Sequence, residues 1–168
     1  MTTIRERIES PGVDAAWTIA VEVAYDRRAR HLWEYARRLG LDPGSAEEAT
    51  QEVFARALHL VRVRRPDNLE AWLFRSLHNY SMDRHRQARR ARVVDLTESH
   101  ANPDDAGRLG LWQEIDRLPL RQRQAVYLRY RADLDYPVIA SILGISESGA
   151  RANVFRAMAH LRERIEHR

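Results

Sequence analysis

The chain of 168 residues contains no cysteine, no lysine and no long apolar run. Without cysteine it can form neither a disulfide nor a thiolate metal site. No stretch approaches the roughly 20 apolar residues of a membrane-spanning helix, and the first ten residues lack the apolar core of a signal peptide. We therefore expect a cytoplasmic protein without membrane insertion.

All 28 basic residues are arginine, although the formal net charge is only +4. The arginine side chain is a planar, permanently charged fork that suits phosphates and the edges of bases. Codon usage in a GC-rich genome is the simpler explanation for the absence of lysine. With so small a net charge, where the arginines cluster matters more than how many there are.

Apolar residues recur at helical spacing along almost the whole chain, and strand patterns are nearly absent, which predicts an all-α fold. The spacing predicts a first helix over Val13–Tyr25 and a second over Arg28–Leu39. A turn at Gly40–Gly44 follows. Ser45 is the expected N-cap of the third helix.

The fourth helix, which Asp67 or Asn68 would cap, runs into an arginine-dense end. Residues 84–92 contain five arginines and no acidic residue. The charge inverts over residues 95–106, where helical periodicity is lost, and this predicts an acidic linker. We therefore expect two small helical domains, at residues 10–92 and 107–168, joined by a linker at residues 93–106.

The stretch Val138–Leu161 has the pattern of a helix-turn-helix. Gly144 is the expected left-handed C-cap of a short helix, and Ser146 starts a longer one. In such motifs the second helix enters the major groove of DNA. An ordinary amphipathic helix of a bundle is the alternative interpretation.

On that second helix Phe155 points away from the apolar stripe, where it could contact a thymine methyl group. Arg151 and Arg156 could bind guanine or phosphate. Before this motif, a helix is expected to start at Leu118–Leu120 and to continue with the apolar residues Ala125, Val126, Leu128 and Tyr130. In the N-terminal half, a basic loop beside a basic helix end suggests a track for a nucleic-acid strand, or simply a solvated charge run.

Four segments resemble motifs of the sigma-70 family of RNA polymerase sigma factors, in its short extracytoplasmic-function (ECF) group. Ala46–Ala57 is similar to the helix that docks on the polymerase clamp, and Trp72–Asp83 to the promoter-melting helix. Leu118–Val126 is similar to the entry of the C-terminal domain, and Ile139–Ser148 to its helix-turn-helix. The resemblance implies binding to core RNA polymerase and promoter DNA, and an anti-sigma factor is a further candidate partner.

The resemblance also implies three sets of functional residues. Those expected to dock on core polymerase are Glu48, Gln51, Glu52 and Arg56. Those expected to bind the downstream, minus-ten element as single strand are Arg62, Arg64, Arg65, Asn68, Trp72, Arg75, Asn79 and Arg84. Those expected to bind the upstream, minus-35 element as duplex are Ser148, Arg151, Asn153, Phe155, Arg156 and His160.

Three positions depart from the family pattern and leave the promoter sequence open. Pro137 replaces the usual alanine, Gly149 the usual threonine and Asn153 the usual arginine. A stand-alone helix-turn-helix regulator is an alternative, but it would need a dimer interface that no heptad supplies. A sigma mimic that sequesters an anti-sigma factor is another. An enzyme is disfavoured, and no cofactor is expected, because metal, phosphate-loop and nucleophile motifs are all lacking.

Overall fold

A computed structural model of the chain describes residues 11–60, 65–91 and 109–166. Within these ranges the chain forms seven α helices and one π-helical turn, without any β strand, which confirms the all-α fold class. Nowhere in the described ranges is a helix long and apolar enough to cross a membrane. The elements are α1 (Pro11–Arg38), α2 (Pro43–His59), α3 (Leu69–Ala91), α4 (Leu109–Asp116), α5 (Leu120–Val126), the π turn (Tyr127–Arg131), α6 (Tyr136–Leu143) and α7 (Glu147–Glu166).

The prediction of two N-terminal helices was wrong, because α1 is continuous from Pro11 to Arg38. The apolar stripe is interrupted after Ala24, and that interruption suggested a break in the helix. Arg28 occupies the next inward position, where its guanidinium pairs with Glu70 of α3 at 2.6 Å. A charged residue with a partner keeps the helix intact, whereas a glycine or proline would break it.

The helix ends follow local sequence signals, with one correction. Asp42, rather than Ser45, is the N-cap of α2, and its carboxylate accepts a hydrogen bond from the Ser45 amide at 3.0 Å. Asn68 caps α3 by accepting from the Ala71 amide at 2.9 Å. At the helix-turn-helix, Gly144 adopts φ = 64° as the C-cap of α6, and Ser146 accepts from the Gly149 amide at 3.1 Å. The predicted caps at Asn68, Gly144 and Ser146 are therefore confirmed.

The described parts of the two halves share one hydrophobic core. It includes Tyr35 and Phe74 from the N-terminal half and Tyr127 and Leu128 from the C-terminal half. The ring of Tyr35 stacks on that of Tyr127 at a centroid distance of 5.5 Å. Helix α6 packs against α3, and α7 packs against α6. The helix-turn-helix therefore lies directly on the N-terminal half.

The expected inward stripe through Tyr130 was wrong, since the Tyr130 side chain is 60% exposed. The chain changes from α to π geometry at Tyr127, which alters the angle between successive side chains. Tyr127 and Leu128 are buried while Tyr130 points to solvent. Hydrophobic periodicity assumes α geometry, so it fails at this turn.

The acidic linker at residues 93–106 lies outside the described residues, as do Arg62 and Arg64. The boundaries of the two predicted domains therefore remain predictions. The arginine-dense segment is described as part of α3 up to Ala91.

Candidate nucleic-acid and protein interfaces

One side of α2 carries an exposed polar ridge. The other side of this helix, including Ala46, Ala49 and Val53, is buried in the core, so the ridge is held rigidly towards solvent. Glu52 accepts a hydrogen bond from Nε of Arg56 at 2.7 Å, one helical turn away. All four residues predicted to dock on polymerase lie on this surface: Glu48, Gln51, Glu52 and Arg56.

An open groove of about 840 Å³ lies beside this ridge, between α2 and α3. Its wall includes the ring of Tyr80, with the guanidinium groups of Arg56 and Arg84 at 5.7 and 5.8 Å from the ring centroid. Aromatic rings flanked by arginines suit the stacking of unpaired bases and the binding of their phosphates. The groove is lined by Arg56, Trp72, Ser76, Asn79, Tyr80, Asp83, Arg84 and Gln87.

Arg84 connects the ridge to the groove. Its Nη1 donates to the hydroxyl of Tyr80 at 3.1 Å and to Oε2 of Glu48 at 3.0 Å. The residue predicted to bind DNA is thus paired with a residue predicted to bind polymerase. The sequence does not reveal this pairing, because the two residues are 36 positions apart.

The remaining residues predicted for the downstream element are distributed around α3. Arg75 and Asn79 are exposed on the helix, and Trp72 is half-buried in the groove wall. Asn68 is exposed while its side chain caps the helix. The guanidinium of Arg65 lies 5.3 Å from the ring of Trp17, at the start of α1. The structure therefore brings Trp72, Asn79 and Arg84 together in the groove and places Arg65 elsewhere.

A second, smaller groove of about 290 Å³ lies between α1 and α2, and the sequence interpretation missed it. A signal for it exists, because Tyr25, Ala29 and Trp33 recur every four residues, which places them along one face of a helix. The groove borders the polar ridge through Glu47 and Gln51. It is lined by Tyr25, Ala29, Arg30, Trp33, Glu47, Thr50 and Gln51.

One face of helix α7 is exposed to solvent and carries most of the residues predicted to bind duplex DNA. Phe155 is 77% exposed, the highest value among the large apolar side chains of the described residues. Ala150, Val154, Ala157 and Leu161 are buried on the opposite side. A single exposed apolar side chain is common on protein surfaces, so Phe155 indicates a candidate contact surface only together with the arginines beside it. Ser148, Arg151 and Arg156 are exposed as well.

Arg151 is held in place on this surface. Its Nη2 lies 2.6 Å from Oε1 of Glu147, and its guanidinium is 4.4 Å from the centroid of the Tyr136 ring. The guanidinium of Arg129 also lies near the Tyr136 ring, 5.3 Å from its centroid. The sequence interpretation missed Arg129 and Tyr136. They are near the first helix of the motif, which in helix-turn-helix proteins crosses the DNA backbone.

Asn153 and His160 are placed differently from the other four residues of the upstream set. The side-chain amide of Asn153 donates to the Gly149 carbonyl of its own helix at 2.8 Å. Nδ1 of His160 lies 3.0 Å from Oε1 of Gln122, on α5. Both are therefore engaged in contacts within the protein, at the flank of the exposed face.

A buried polar pair lies under the groove helix. Nδ1 of His78 on α3 is 3.0 Å from the hydroxyl of Tyr35 on α1. Burial, assisted by the charge of Arg121, lowers the pKa of His78 to about 4, while burial raises the pKa of Tyr35. At neutral pH the imidazole is therefore uncharged and can accept a hydrogen bond at one nitrogen.

A helix-turn-helix with an exposed recognition helix, together with an arginine-lined aromatic groove, defines an all-α protein of the DNA-binding class. Family models match at two places: Sigma-70 region 2 over residues 24–91 and Sigma-70, region 4 over residues 108–161. The chain is 30% identical over 164 residues to the ECF RNA polymerase sigma factor SigL of Mycobacterium tuberculosis, covering 90% of this chain and 92% of SigL.

Two further proteins agree with this result. The sigma factor SigV of Bacillus subtilis is 28% identical, with 70% of this chain and 74% of SigV covered. The solved sigma factor RpoE, in complex with the anti-sigma factor NepR from Bartonella quintana, is similar with a TM-score of 0.68 and 25% identity, covering 86% of this chain and 96% of that one. The chain belongs to the sigma-70 family of RNA polymerase sigma factors, in its extracytoplasmic-function group, which confirms the resemblance seen in the sequence.

Proposed function

We propose that this chain directs core RNA polymerase to promoters through three surfaces: the polar ridge of α2, the groove between α2 and α3, and the exposed face of α7. The proposal rests on one observation, which is that the ridge and the groove are adjacent and share the Glu48–Arg84 ion pair. The protein acts by binding, in the cytoplasm where the polymerase is, and catalyses no reaction of its own.

In this proposal the N-terminal half, residues 10–92, docks on the polymerase and holds the minus-ten element as single strand. The ring of Tyr80 and the half-buried Trp72 offer stacking surfaces, and Arg84 and Arg56 offer charge for the phosphates. Asn79 in the groove wall has both a donor and an acceptor for base edges. Arg75 is exposed on the same helix and adds to its positive charge.

The C-terminal half, residues 107–168, reads the minus-35 element as duplex. Ser148, Arg151, Phe155 and Arg156 belong to the first three turns of α7, the end of a recognition helix that reaches base edges. Tyr136 and Glu147 orient Arg151 before DNA arrives, which lowers the entropy lost on binding. Arg129 is a further candidate for contact with the DNA backbone.

An anti-sigma factor is a further proposed partner, because the solved RpoE structure to which this chain is similar contains one. A protein of this kind would compete with the polymerase for the same exposed surfaces. The groove between α1 and α2, with its aromatic walls beside the polar ridge, is a candidate surface for either partner.

The test is a double charge reversal, Glu48→Arg with Glu52→Arg. Both carboxylates are on the outer side of α2, so the variant should keep its fold while losing binding to purified core polymerase by more than tenfold. The matched control is Glu163→Arg with Glu166→Arg, which makes the same change of charge at exposed positions of α7. Binding of the first variant at wild-type strength would show that the ridge is not the docking surface.

A further inference from the structure

The start of α1 contacts the chain on both sides of the loop between α2 and α3, of which residues 61–64 lie outside the described ranges. Trp17 of α1 is buried. Its indole Nε1 donates a hydrogen bond to the carbonyl of Ala57, in the last turn of α2, at 2.8 Å. The guanidinium of Arg65, on the other side of the loop, lies 5.3 Å from the centroid of the Trp17 ring. One side chain therefore braces both ends of the loop.

The hydrogen bond from Trp17 holds the end of α2. Carbonyls in the last turn of an α helix lack their usual partner within the helix. The Ala57 carbonyl accepts from the amide of Leu60 as well as from the indole, and a carbonyl oxygen has lone pairs for both. Leu60 itself packs against the core. The point at which the chain leaves α2 is therefore fixed by α1.

The other end of the loop is restrained by local contacts. Pro66 has a fixed φ, and it restricts the preceding residue, Arg65, to extended backbone. The side chain of Asn68 accepts from the Ala71 amide at 2.9 Å, and its carbonyl accepts from the Trp72 amide at 3.1 Å. Few backbone torsions between Arg65 and the first turn of α3 can therefore vary.

The contact with Trp17 orders the Arg65 side chain before a ligand arrives. Arginine has many rotamers, so ordering it on a ligand costs conformational entropy. Arg65 is half-buried, and tryptophan is the ring that attracts a cation most strongly. The contact leaves the charge of the guanidinium intact, and its fork of N–H groups suits a phosphate. Arg65 thus resembles Arg151 on α7, which lies against the ring of Tyr136.

This contact is separate from the groove that carries the other downstream residues. Arg65 does not line the groove between α2 and α3, where Trp72, Asn79 and Arg84 meet. Trp17 precedes the segment that matches Sigma-70 region 2, which begins at residue 24. The match to the family therefore gives no role to Trp17, and a role for it follows only from the contacts within this chain.

We propose that Trp17 is a positioning residue for the minus-ten strand, in that it holds Arg65 where the guanidinium binds a phosphate of the single strand. This inference rests on the proposed function. A phosphate contact is independent of base sequence, so Trp17 contributes to the affinity for the strand and to its salt dependence. Base-specific contacts remain with the residues of the groove.

The role of Trp17 is tested by the salt dependence of strand binding. The probe is a labelled single strand with the minus-ten region of a promoter that the wild-type chain transcribes together with core polymerase. Core polymerase alone gives the background. Each phosphate neutralised on single-stranded DNA contributes about 0.7 to the slope of log affinity against log salt concentration. Arg65→Gln should reduce the slope by about this amount and weaken binding roughly threefold to tenfold.

Trp17→Leu should also weaken binding and reduce the slope, although Arg65 is still present, because the guanidinium is no longer held. The decisive comparison is with the double variant. Since Trp17 acts through Arg65, Trp17→Leu should change the affinity by less than about twofold in the Arg65→Gln background.

Two matched controls separate positioning from a general loss of stability or charge. Val21→Ala truncates another buried apolar residue of α1, about one turn after Trp17. Arg27→Gln removes an exposed arginine from the same helix. Both variants should retain the wild-type slope. Trp17→Phe keeps an aromatic ring and should fall between the wild type and Trp17→Leu. It takes the place of Trp17→Leu in the comparison if circular dichroism shows that the leucine variant is unfolded.

Two outcomes would overturn the role of Trp17. One is a loss from Trp17→Leu that is equally large with and without Arg65, which would make Trp17 a residue of the core only. The other is a wild-type salt slope in Arg65→Gln, which would show that Arg65 binds no phosphate. A wild-type chain that does not bind core polymerase, or transcribes no promoter with it, would instead refute the proposed function. The two failures are therefore distinguishable in the same set of measurements.

Discussion

Helices α3 and α7 carry the two proposed DNA surfaces, but they are embedded in the protein in different ways. The inner side of α3 packs against α1, α2 and α6 and buries the polar side chains of His78 and Ser81 as well as apolar ones. The inner side of α7 buries small and branched apolar residues such as Ala150 and Val154. The α3 surface thus rests on a buried polar contact, between His78 and Tyr35, as well as on apolar packing. The polar contacts of α7 with its neighbours, such as His160 with Gln122, lie at its partly exposed flank.

The arginines of the two surfaces also differ in whether their partners lie on another helix or on their own. Arg84 on α3 is bound to Tyr80 and to Glu48 of another helix. On α7, Arg151 is held by Glu147 of its own helix, and within the described part of the chain the Arg156 side chain makes no ion pair. The proposed downstream surface is therefore in contact with the proposed docking ridge. The arginines of the proposed upstream surface make no such contact with that ridge within the described residues.

The largest expected effect concerns the buried polar pair of α3. The pKa of His78 is about 4 in the folded chain and 6.5 without burial, so the neutral form contributes stability that is complete above pH 6.5 and is lost as the pH falls towards 4. The loss amounts to about 3 kcal/mol of unfolding free energy. It is measured by urea unfolding of the wild type and of His78→Gln between pH 7 and pH 4.

His78→Gln keeps an acceptor for the Tyr35 hydroxyl but cannot be protonated. Acid-sensitive groups elsewhere, including Glu34, are common to both proteins and cancel in the difference. The variant should therefore lose clearly less stability than the wild type as the pH falls. Parallel pH profiles for the two proteins would contradict the assignment of His78 as the buried neutral group.

Local signals made the helix-turn-helix predictable, whereas long-range contacts were beyond the sequence. Gly144 and Ser146 determine the turn through their own backbone and side chain, so a few neighbouring residues suffice. The pairing of Glu34 with Arg131 joins residues 97 positions apart. No local pattern indicates which of the 28 arginines a given carboxylate will meet. The contact between the halves therefore emerges only from the structure.

The candidate surfaces also differ in how far the sequence alone could reveal them. Phe155 is recognisable from helical periodicity because an apolar residue outside the buried stripe needs no tertiary information. Trp72, Asn79 and Arg84 were assigned by resemblance, and the structure brings them together in one groove. The sequence interpretation missed that Tyr80 lines this groove, because a tyrosine in line with the apolar Trp72, Leu73 and Leu77 is more simply read as a core residue.

An effect of intermediate size is expected on α7. Arg156→Ala should reduce discrimination between upstream sequences by roughly 1–3 kcal/mol, the contribution of a good two-point contact with a base. Fluorescence anisotropy with a set of single-base variants of the duplex measures it. The charge-matched control is Arg162→Ala, an exposed arginine further from the start of the helix. An equal loss of affinity on every sequence would identify Arg156 as a phosphate contact instead.

The smallest effect tests whether the docking ridge restrains the α3 surface. Glu48→Gln releases Arg84 from its exposed ion pair, whose strength is about 0.2–1 kcal/mol, so the free chain should bind minus-ten single strand up to about fivefold more tightly. Glu47→Gln is the control, since it removes the same charge one residue away, where the partner is Gln51 and not an arginine. Equal gains from the two substitutions, measured by anisotropy at one salt concentration, would mean that only overall charge matters and that Arg84 is not restrained.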